Sequence, residues 1–293
     1  LQLAQNEATD GDTIAIAAGT YAGSLSIEGM SVSVIGETSS DGSPAVTITG
    51  NVTMQTGGQS QIRIEHLDFR MLTLLECDVS VLNCNIHNSS GQWAGVAITN
   101  ATGTFEDCEI VDHHGTFFTG GMTVLDFPDL SVPYSNITFI NCVIKENTGQ
   151  GPWGSQGSSG VYIGSIDSVG FPVVNFIGCV VTENNSGFGG MRFDPSSTVS
   201  LIDTVACDNS SAGQIAGVWT DGGGNCVEDI CDDCTDCPGD LDGNGEVGVD
   251  DLLILLSEYG NDCTDGCDSD LDDSGQVNVD DLLNMLSYFG NDC

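Results

Sequence analysis

The sequence predicts an all-β fold, a parallel β-solenoid, followed by a small α-helical module. Two internal repeats of different kinds support this division, and they meet near residues 222–225. Short alternating apolar runs fill the first part, whereas the end holds two acidic segments that align with each other without a gap. Repeats of these kinds are typical of stacked coils and of duplicated loops. We therefore expect a solenoid over residues 1–225, a linker rich in Cys and Asp over 226–237, and the module over 238–293.

The solenoid prediction rests first on short runs in which apolar and polar side chains alternate. Gly, Asn, Ser and Asp residues separate these runs. Alternation with a period of two, bounded by turn residues, is typical of β-strands that bury one face. The clearest runs are 25–27, 32–35, 46–48, 62–64 and 79–81.

A column of small or apolar residues also repeats in this region, in a frame of the form apolar-x-x-Cys-x-apolar. Its members are unequally spaced along the chain, so the turns vary in length while the strands keep one frame. Stacked coils would bury such a column as a ladder. Cys is then a small buried apolar residue, and disulfides between neighbouring coils are the alternative. The expected ladder consists of Leu67, Cys84, Cys108, Cys142, Cys179 and Thr204.

Two segments carry a family resemblance. The opening Asp-Gly-Asp-Thr-Ile at residues 10–14 with Ala-Gly-Thr-Tyr at 18–21, and the segment 183–191, resemble right-handed parallel β-helix proteins of the pectate-lyase-like superfamily. The resemblance covers about residues 1–225 and implies a right-handed β-helix. It also implies that a short helix at Leu1–Ala8 caps the open end, where a bare strand edge would pair with stray strands.

The charge of the chain limits its partners. Only four Lys or Arg residues stand against 43 Asp or Glu residues, which gives a net charge of -39. Such a chain repels phosphate backbones and anionic lipid, so we expect no nucleic acid partner. No apolar run approaches the length of a membrane span, so we also expect no membrane insertion.

The cysteine content indicates a compartment. Thirteen cysteines, several at the ends of a repeat, are typical of a disulfide framework in an oxidising environment. Their odd number leaves at least one unpaired within the chain. The chain opens at Leu1 with neither a methionine nor a basic, apolar leader, which we interpret as a trimmed start. We expect a secreted, extracellular or cell-surface protein.

The two acidic segments of the module predict two calcium sites. Each supplies oxygen ligands at loop positions 1, 3, 5 and 12, with a backbone carbonyl at position 7. Gly245 and Gly275 fall at position 6, where the chain must turn sharply. The expected ligands are Asp240, Asp242, Asn244, Glu246 and Asp251 for one ion, and Asp270, Asp272, Ser274, Gln276 and Asp281 for the other.

An apolar helical stretch follows each loop, and Gly260 and Gly290 end these helices. The pattern resembles the duplicated, EF-hand-like repeats of type I dockerins over about residues 238–293, which implies a module that attaches the chain to a protein partner. The family often carries a Ser/Thr pair at loop positions 10 and 11 for cohesin recognition. This chain has Val-Asp at 249–250 and at 279–280, a departure that argues against cohesin.

Cysteine spacing suggests a covalent frame for the module. Cys237 and Cys263 flank the first repeat, and Cys267 and Cys293 flank the second at the same spacing. We expect the pairs Cys237–Cys263 and Cys267–Cys293, together with Cys207–Cys226 at the end of the solenoid. A zinc cluster at Cys231, Cys234 and Cys237 is a weaker alternative, because no histidine is near.

No catalytic residue is assigned. Lyases on this scaffold need a basic group near clustered carboxylates, and Arg63, Arg70 and Arg192 lie outside any clear motif. The strongest catalytic or metal candidate is the group at residues 112–114, Asp-His-His, with Asp126 and Asp129, which a polar turn explains equally well. Aromatic residues on the long insertions that could stack on sugars or on a neighbouring subunit are Phe127, Tyr134, Trp153 and Tyr162.

Glycosylation is a further expectation for a secreted chain. Asn-x-Ser/Thr triplets arise by chance in a solenoid rich in Asn and Ser, but each is an acceptor candidate. The triplets begin at Asn51, Asn88, Asn100, Asn136, Asn184 and Asn209.

The function that the sequence favours is that of a secreted, calcium-binding, non-catalytic structural or adhesive solenoid. Its module would mediate attachment or assembly in an extracellular filament or surface matrix, through a protein partner or through self-assembly. One alternative is a polysaccharide lyase or glycoside hydrolase with a dockerin-like anchor. Another is a non-catalytic carbohydrate-binding protein.

Overall fold

The structure is a computed structural model that describes most of the chain. Its described residues are 2–58, 60–91, 95–116, 119–127, 134–149, 160–165, 171–185, 190–210, 213–231, 239–242, 247–263, 267–272 and 274–290. The chain divides into two compact units, Leu1–Asp229 and Ile230–Cys293.

The regular elements of the first unit are short strands, apart from one helix at its start. In chain order they are β1 (Asp12–Ile16), β2 (Gly19–Tyr21), β3 (Leu25–Glu28), β4 (Val32–Gly36), β5 (Val46–Ile48), β6 (Val52–Gln55), β7 (Gln61–Glu65), β8 (Leu67–Phe69), β9 (Leu72–Leu75), β10 (Asp78–Leu82), β11 (Asn85–His87), β12 (Ser90–Gly91), β13 (Val96–Thr99), β14 (Thr102–Glu106), β15 (Glu109–Val111), β16 (His114–Gly115), β17 (Met122–Asp126), β18 (Asn136–Ile140), β19 (Val143–Lys145), β20 (Thr148–Gly149), β21 (Val161–Ser165), β22 (Val173–Ile177), β23 (Val180–Thr182), β24 (Met191–Phe193), β25 (Thr198–Ile202), β26 (Val205–Cys207), β27 (Ile215–Ala216), β28 (Thr220–Asp221) and β29 (Cys226–Val227).

These strands form three long sheets in which all the pairings are parallel. The first sheet has the order β1-β4-β7-β10-β14-β18-β22-β25-β28, and the second has the order β2-β5-β8-β11-β15-β19-β23-β26-β29. The third has the order β3-β6-β9-β13-β17-β21-β24-β27, and a small sheet of β12, β16 and β20 accompanies them. Successive strands of the chain enter the sheets in turn, so each coil adds one strand to each long sheet, except that the last described coil adds none to the third. The prediction of a parallel β-helix is confirmed.

The core of the solenoid consists of ladders of apolar residues at equivalent positions of successive coils. In the first sheet, Phe105, Phe139 and Phe176 are buried and in register. Their rings stack with centroids 4.8 Å and 5.1 Å apart. The alternation in the sequence sets this pattern, because every second side chain of a strand points to the same face.

The cysteine column forms a buried ladder at the start of the second sheet. Strand registers place Cys84, Cys108, Cys142 and Cys179 opposite one another, with Leu67 before them and Thr204 after them. These four cysteines and Cys77 are buried free thiols. Burial raises the pKa of the Cys77 thiol to about 12, so the thiol stays protonated and unreactive. The interpretation of this column as buried apolar residues is therefore confirmed, and no disulfide joins these four cysteines.

A left-handed residue turns the chain between the first and second sheets. Asn83, Asp107, Asn141 and Asp203 occupy this corner with φ angles of 47° to 52°, and Gly178 occupies it on the coil between the last two with a φ of 62°. Asn and Asp adopt this conformation more readily than other residues with a Cβ. The corner residues thus let each coil bend between two strands with a minimal connection.

A helix contacts the first coil of the solenoid, and a short strand completes the last described coil. Helix α1 (Gln2–Glu7) contacts β3, and the backbone N–H of Ser26 donates to Gln5 Oε1 at 3.1 Å. At the other end, β29 pairs with β26, so Cys226 and Val227 belong to the last coil. The predicted linker begins at Cys226 instead, because two residues are too short a run for alternation to show.

The second unit contains two helices of equal length, α2 (Val249–Glu258) and α3 (Val279–Tyr288). Its small core contains Val247, Leu255, Val277 and Met285, all fully buried. Val247 and Val277 lie at equivalent positions of the two repeats, as do Leu255 and Met285. The predicted small α-helical module is therefore present.

The disulfide arrangement of the module corrects the prediction. The structure pairs Cys263 with Cys267, whose Cα atoms lie 5.4 Å apart. The pairs Cys237–Cys263 and Cys267–Cys293 therefore do not hold in it, and Cys237 and Cys293 lie outside the described residues. The backbone N–H of Cys263 donates to Gly275 O at 2.8 Å, which fixes Cys263 beside the second loop. Equal spacing in the sequence could not show that the short connection between repeats brings these two sulfurs together.

Cys207, Cys226 and Cys231 are also disulfide-bonded. The pair Cys207–Cys226 stays a prediction.

Among the described helices, none is both long and apolar enough to cross a membrane.

Candidate metal centre

Two groups of aspartates in the module have the geometry of metal sites. Asp240, Asp242 and Asp251 bring carboxylate oxygens within 4.8 Å of one another. Asp270, Asp272 and Asp281 do the same at the matching positions of the second repeat. These six aspartates are those that the sequence predicts at loop positions 1, 3 and 12. Both triads could hold a metal ion.

The helix after each loop positions the last aspartate of the triad. Asp251 is the third residue of α2, and its buried carboxylate accepts hydrogen bonds from the backbone N–H groups of Leu241 at 2.8 Å, Asp242 at 3.0 Å and Gly248 at 2.7 Å. Burial opposes ionisation of Asp251. The three N–H donors outweigh it, and they hold the pKa of this carboxyl below its ordinary value.

The second repeat has the same arrangement. Asp281 is the third residue of α3 and accepts from the N–H groups of Leu271 at 2.8 Å, Asp272 at 3.3 Å and Asn278 at 2.6 Å. In both repeats, therefore, these hydrogen bonds close the loop onto the first turn of the helix that follows it. A carboxylate held by these hydrogen bonds is already positioned in the loop before a metal ion binds.

The second loop also brings its other predicted ligands together. Ser274 Oγ lies 3.5 Å from Asp270 Oδ1 and 3.2 Å from the backbone oxygen of Gln276. Gly275 has a φ of 87° and donates its N–H to Asp270 Oδ2 at 2.8 Å. The oxygens at positions 1, 5 and 7 therefore converge around a left-handed turn that favours glycine. In the first loop, Asn244, Gly245 and Glu246 lie outside the described residues.

The donor set fits a hard divalent cation. All the converging groups are oxygens, and hard cations such as Ca²⁺ and Mg²⁺ take oxygen ligands. Residues 230–293 contain no Lys, Arg or His, so no side chain of the module can neutralise the two triads. The zinc alternative at Cys231, Cys234 and Cys237 loses a ligand, because Cys231 is disulfide-bonded, and Cys234 and Cys237 lie outside the described residues.

The catalytic candidate around His113 has a structural role instead. The His113 side chain is fully buried, its Nε2 donates to Ile86 O at 2.9 Å, and its Nδ1 accepts from the N–H of Ser89 at 3.2 Å. Burial lowers the pKa of this imidazole to about 4. A neutral ring with both nitrogens engaged is available neither to a substrate nor to a metal.

His113 stands at one end of a ladder of buried amides that the sequence analysis missed. The N–H of His113 donates to Asn147 Oδ1, the side chain of Asn147 donates to Asn184 Oδ1 at 2.9 Å, and that of Asn184 donates to Asn209 Oδ1 at 2.9 Å. Gln214 Oε1 ends the ladder by accepting from Asn209 Nδ2 at 2.9 Å. The sequence signal for this ladder is an Asn three positions after a buried aliphatic residue of the second sheet. The aliphatic residues are Ile144, Val181 and Ala206.

Asp126 is likewise part of a turn. Its buried carboxylate accepts from the N–H of Asn100 at 3.1 Å and from both the N–H and the hydroxyl of Ser135. Burial raises the pKa of this carboxyl against the opposing effect of the hydrogen bonds.

His114 is exposed and lies 3.6 Å from Asp112, with its Nδ1 2.6 Å from Thr148 Oγ1. Asp129 lies outside the described residues. The described members of the candidate group have separate structural partners and do not form a single site.

The aromatic residues of the insertions are only partly described. Tyr134 packs edge to face against Phe171, with ring centroids 6.1 Å apart. The hydroxyl of Tyr162 donates to Asp194 Oδ2 at 2.7 Å, and burial together with this contact raises its pKa. Phe127 is half-buried, and Trp153 lies outside the described residues.

Two of the arginines contact groups of the solenoid itself. Arg63 forms an ion pair with Glu65, and Arg70 donates to Asn88 O at 2.9 Å. Arg63 also borders a shallow groove on the outer face of the first sheet, whose polar lining consists of Ser33, Gln61, Arg63, Asp78, Ser80 and Thr104.

The structure divides the glycosylation candidates into two groups. Asn51, Asn88 and Asn136 are exposed. Asn100, Asn184 and Asn209 are buried, and their side-chain nitrogens donate to backbone carbonyls inside the fold. A glycan attaches to this nitrogen, so the prediction fails for these three residues in the folded chain.

Comparisons with known proteins add little to this geometry. No protein-family model matches the chain, and no curated protein matches it. One similar solved structure is "Geobacillus virus E2 - ORF18". It has a TM-score of 0.49 and 13% sequence identity, over 71% of this chain and 44% of that chain. The chain therefore spans less than half the length of that structure.

Proposed function

We propose that this chain is a secreted, calcium-binding structural or adhesive β-helix whose C-terminal module attaches it to a partner or to other copies of itself. The observation that carries the proposal is the pair of aspartate triads at matching positions of two repeats. Calcium suits them because its usual sites combine several carboxylates with backbone and side-chain oxygens. We propose in addition that the module serves for attachment in the way that its resemblance to type I dockerins implies.

The rest of the molecule supports a structural role. The polar groups that resembled a catalytic cluster, His113 and Asp126, hold turns of the solenoid. The disulfide of Cys263 with Cys267 and the bonded state of Cys207, Cys226 and Cys231 agree with an oxidising, extracellular environment. Stacked coils give a scaffold in which each unit is held by its neighbours.

Calorimetry with calcium tests the proposal. Metal-stripped protein is expected to bind two calcium ions. Asp251→Asn and Asp281→Asn are each expected to remove one of the two binding events, because each substitution removes the carboxylate that the helix holds in the loop. The matched controls are Asp250→Asn and Asp280→Asn, which change the preceding, exposed aspartate. Unaltered protein that takes up no calcium, or controls that lose as much binding as the site variants, would disprove the proposal.

Carbohydrate binding is a second candidate that one observation favours. The groove on the outer face of the first sheet combines Arg63 and Asp78 with several hydroxyl groups, and such convergent polar groups orient sugars in binding sites. Arg63→Gln is expected to abolish binding to immobilised polysaccharide, whereas Arg70→Gln is expected to leave it unchanged. Equal binding by both variants would eliminate this candidate, and release of shortened polymer by the unaltered protein would favour the lyase or hydrolase alternative.

A further inference from the structure

The module exposes an unusual set of large apolar side chains. Four on each helix and its last turn are between 42% and 62% exposed, and the two sets occupy matching positions of the two repeats. Their positions recur at intervals of four, three and three along the chain, which places them on one face of a helix. We name these sets the helix stripes: Val249, Leu253 and Leu256 of α2 with Tyr259 directly after it, and Val279, Leu283 and Leu286 of α3 with Phe289 directly after it.

The stripes are distinct from the core of the module. Leu255 and Met285 belong to that core and are fully buried, whereas the stripe residues are exposed. Soluble chains rarely expose contiguous apolar surface of this kind without a partner for it. The exposed polar residues beside the stripes also match, Asp250 and Ser257 on α2 and Asp280 and Ser287 on α3. Each repeat therefore presents the same surface to a partner.

The solenoid presents a complementary surface on three successive coils. Ile140, Ile177 and Ile202 end strands of the first sheet and point outward, and Val143, Val180 and Val205 begin strands of the second sheet and also point outward. The six are in register and half-buried. We name them the solenoid patch. On the preceding coil the equivalent residues are the exposed Glu106 and Glu109, which mark the end of the patch.

The two surfaces fit each other in chemistry and in size. β-Branched residues on the face of a parallel sheet are the surface that helices cover in α/β proteins. A stripe rises by roughly 15 Å along its helix, and three strands span roughly 10 Å between their outer axes. Lys145 lies two residues beyond Val143 on the same face of β19, and each helix carries an exposed aspartate next to its stripe, Asp250 or Asp280. Lys145 thus offers a charge that the module lacks.

We propose that a helix stripe of one copy packs on the solenoid patch of a second copy. The contact joins two different surfaces, so it leads to open chains or closed rings of copies. Two such stripes per module give the contact two equivalent ways to form. The inference rests on the proposed role of the module in attachment and names a second copy as its partner.

Light scattering over a range of protein concentrations, with calcium present, is the first test. The average mass of the unaltered protein is expected to rise with concentration. Leu253→Gln combined with Leu283→Gln, and separately Ile177→Thr combined with Val180→Thr, are each expected to weaken association at least roughly tenfold, because each pair removes central apolar contacts. The matched controls, Ser257→Gln with Ser287→Gln and, for the patch, Ser200→Thr, are expected to associate like the unaltered protein.

Mixing the two variants is the decisive step. The stripe variant keeps its patch and the patch variant keeps its stripes, so the mixture is expected to form a complex at concentrations at which neither variant associates alone. Several results would overturn the inference: a constant monomer mass for the unaltered protein, a patch variant that still associates, or a mixture that forms no complex. A patch variant that still associates would indicate contacts between stripes.

Calcium calorimetry on the same variants separates this inference from the proposed function. The stripe and patch variants keep all the aspartates, so both are expected to bind two calcium ions. Loss of association with calcium binding intact concerns the contact alone. Absence of calcium binding in the unaltered protein would instead refute the proposed function.

Discussion

At the scale of single residues, buried amides and one imidazole hold the corner after the second sheet. Asn147, Asn184 and Asn209 each donate a side-chain N–H to a backbone carbonyl and to the next side chain along the solenoid. His113 occupies the equivalent place on an earlier coil, where a ring replaces the amide. Backbone N–H and C=O groups at this corner have no hydrogen-bond partner in a neighbouring strand, and the side chains of the ladder supply those hydrogen bonds.

Asn184 is expected to be critical for stability. Asn184→Ala removes the donor to Ile144 O and the acceptor of Asn147, so buried groups on both sides lose their partners. The expected loss is about 3 kcal/mol of unfolding free energy, measured as a shift of the urea midpoint followed by circular dichroism. Asn136→Ala, at an exposed asparagine that begins a strand, is the control with an expected change below about 0.5 kcal/mol. Similar midpoints for the two variants would contradict the role of the ladder.

His113 predicts a dependence of stability on pH. Its pKa falls from about 6.5 in the unfolded chain to about 4 in the folded one. Between these values the unfolded chain binds a proton that the folded chain does not, so stability is full above pH 6.5 and decreases as the pH falls toward 4. The expected contribution is about 3 kcal/mol. It is measured as the difference between the unfolding free energies of the unaltered protein and of His113→Gln across this range, and parallel pH profiles would contradict it.

At the scale of secondary structure elements, the central strands of the first sheet depend on their aromatic ladder. Phe139 is buried between Phe105 and Phe176 and contacts both rings. Phe139→Ala is expected to cost about 4 kcal/mol, because it leaves a cavity in a core that neighbouring coils keep in register. Phe171→Ala is the control, since Phe171 is 59% exposed. Thermal unfolding of both variants measures the difference, and equal melting temperatures would show that the ladder adds nothing beyond exposed aromatic surface.

The sequence predicts the ladders of the strands better than it predicts the polar groups at the corners. Alternation and the cysteine column identify inward positions directly, because they depend only on the period of a strand. The group at 112–114 resembles a site because it combines two histidines and an aspartate. The structure separates His113, which points inward, from the half-buried Asp112 and the exposed His114. Residue type alone does not show on which side of a corner a polar side chain falls.

The same distinction applies to the module. The aspartate triads follow from loop spacing, since three positions of each loop must face one point to hold an ion. The disulfide of Cys263 with Cys267 depends on how the two repeats meet, which spacing within a repeat does not contain. The helix stripes also could not be identified from the sequence, because an apolar helix this short has both a buried and an exposed face.

At the scale of the whole molecule, the two units differ in what stabilises them. The solenoid has a continuous apolar core that runs through all its coils, whereas the fully buried apolar core described for the module consists of four side chains, beside two aspartate triads of like charge. Without a cation, the carboxylates of each triad repel one another at short distance. A small core supplies little free energy to resist that repulsion.

Removal of calcium is therefore expected to unfold the module while the solenoid stays folded. Ligand that binds only the folded state adds about 2.7 kcal/mol at a hundredfold excess over the dissociation constant, which is a large part of the stability of so small a domain. Calorimetric scans are expected to show two transitions, of which chelator lowers or abolishes one. Far-ultraviolet circular dichroism should lose helical signal and keep strand signal.

The double variant Asp251→Asn with Asp281→Asn supplies the control for this experiment. It lowers the repulsion within both triads while it removes calcium binding, so chelator should no longer shift its transition, and the solenoid transition should match that of the unaltered protein. A chelator effect on the solenoid transition, or an unchanged module transition in the unaltered protein, would contradict the division into independently stabilised units. If both expectations hold, the cation is a structural part of the attachment module, and the surface that the module offers to a partner exists only where calcium is present.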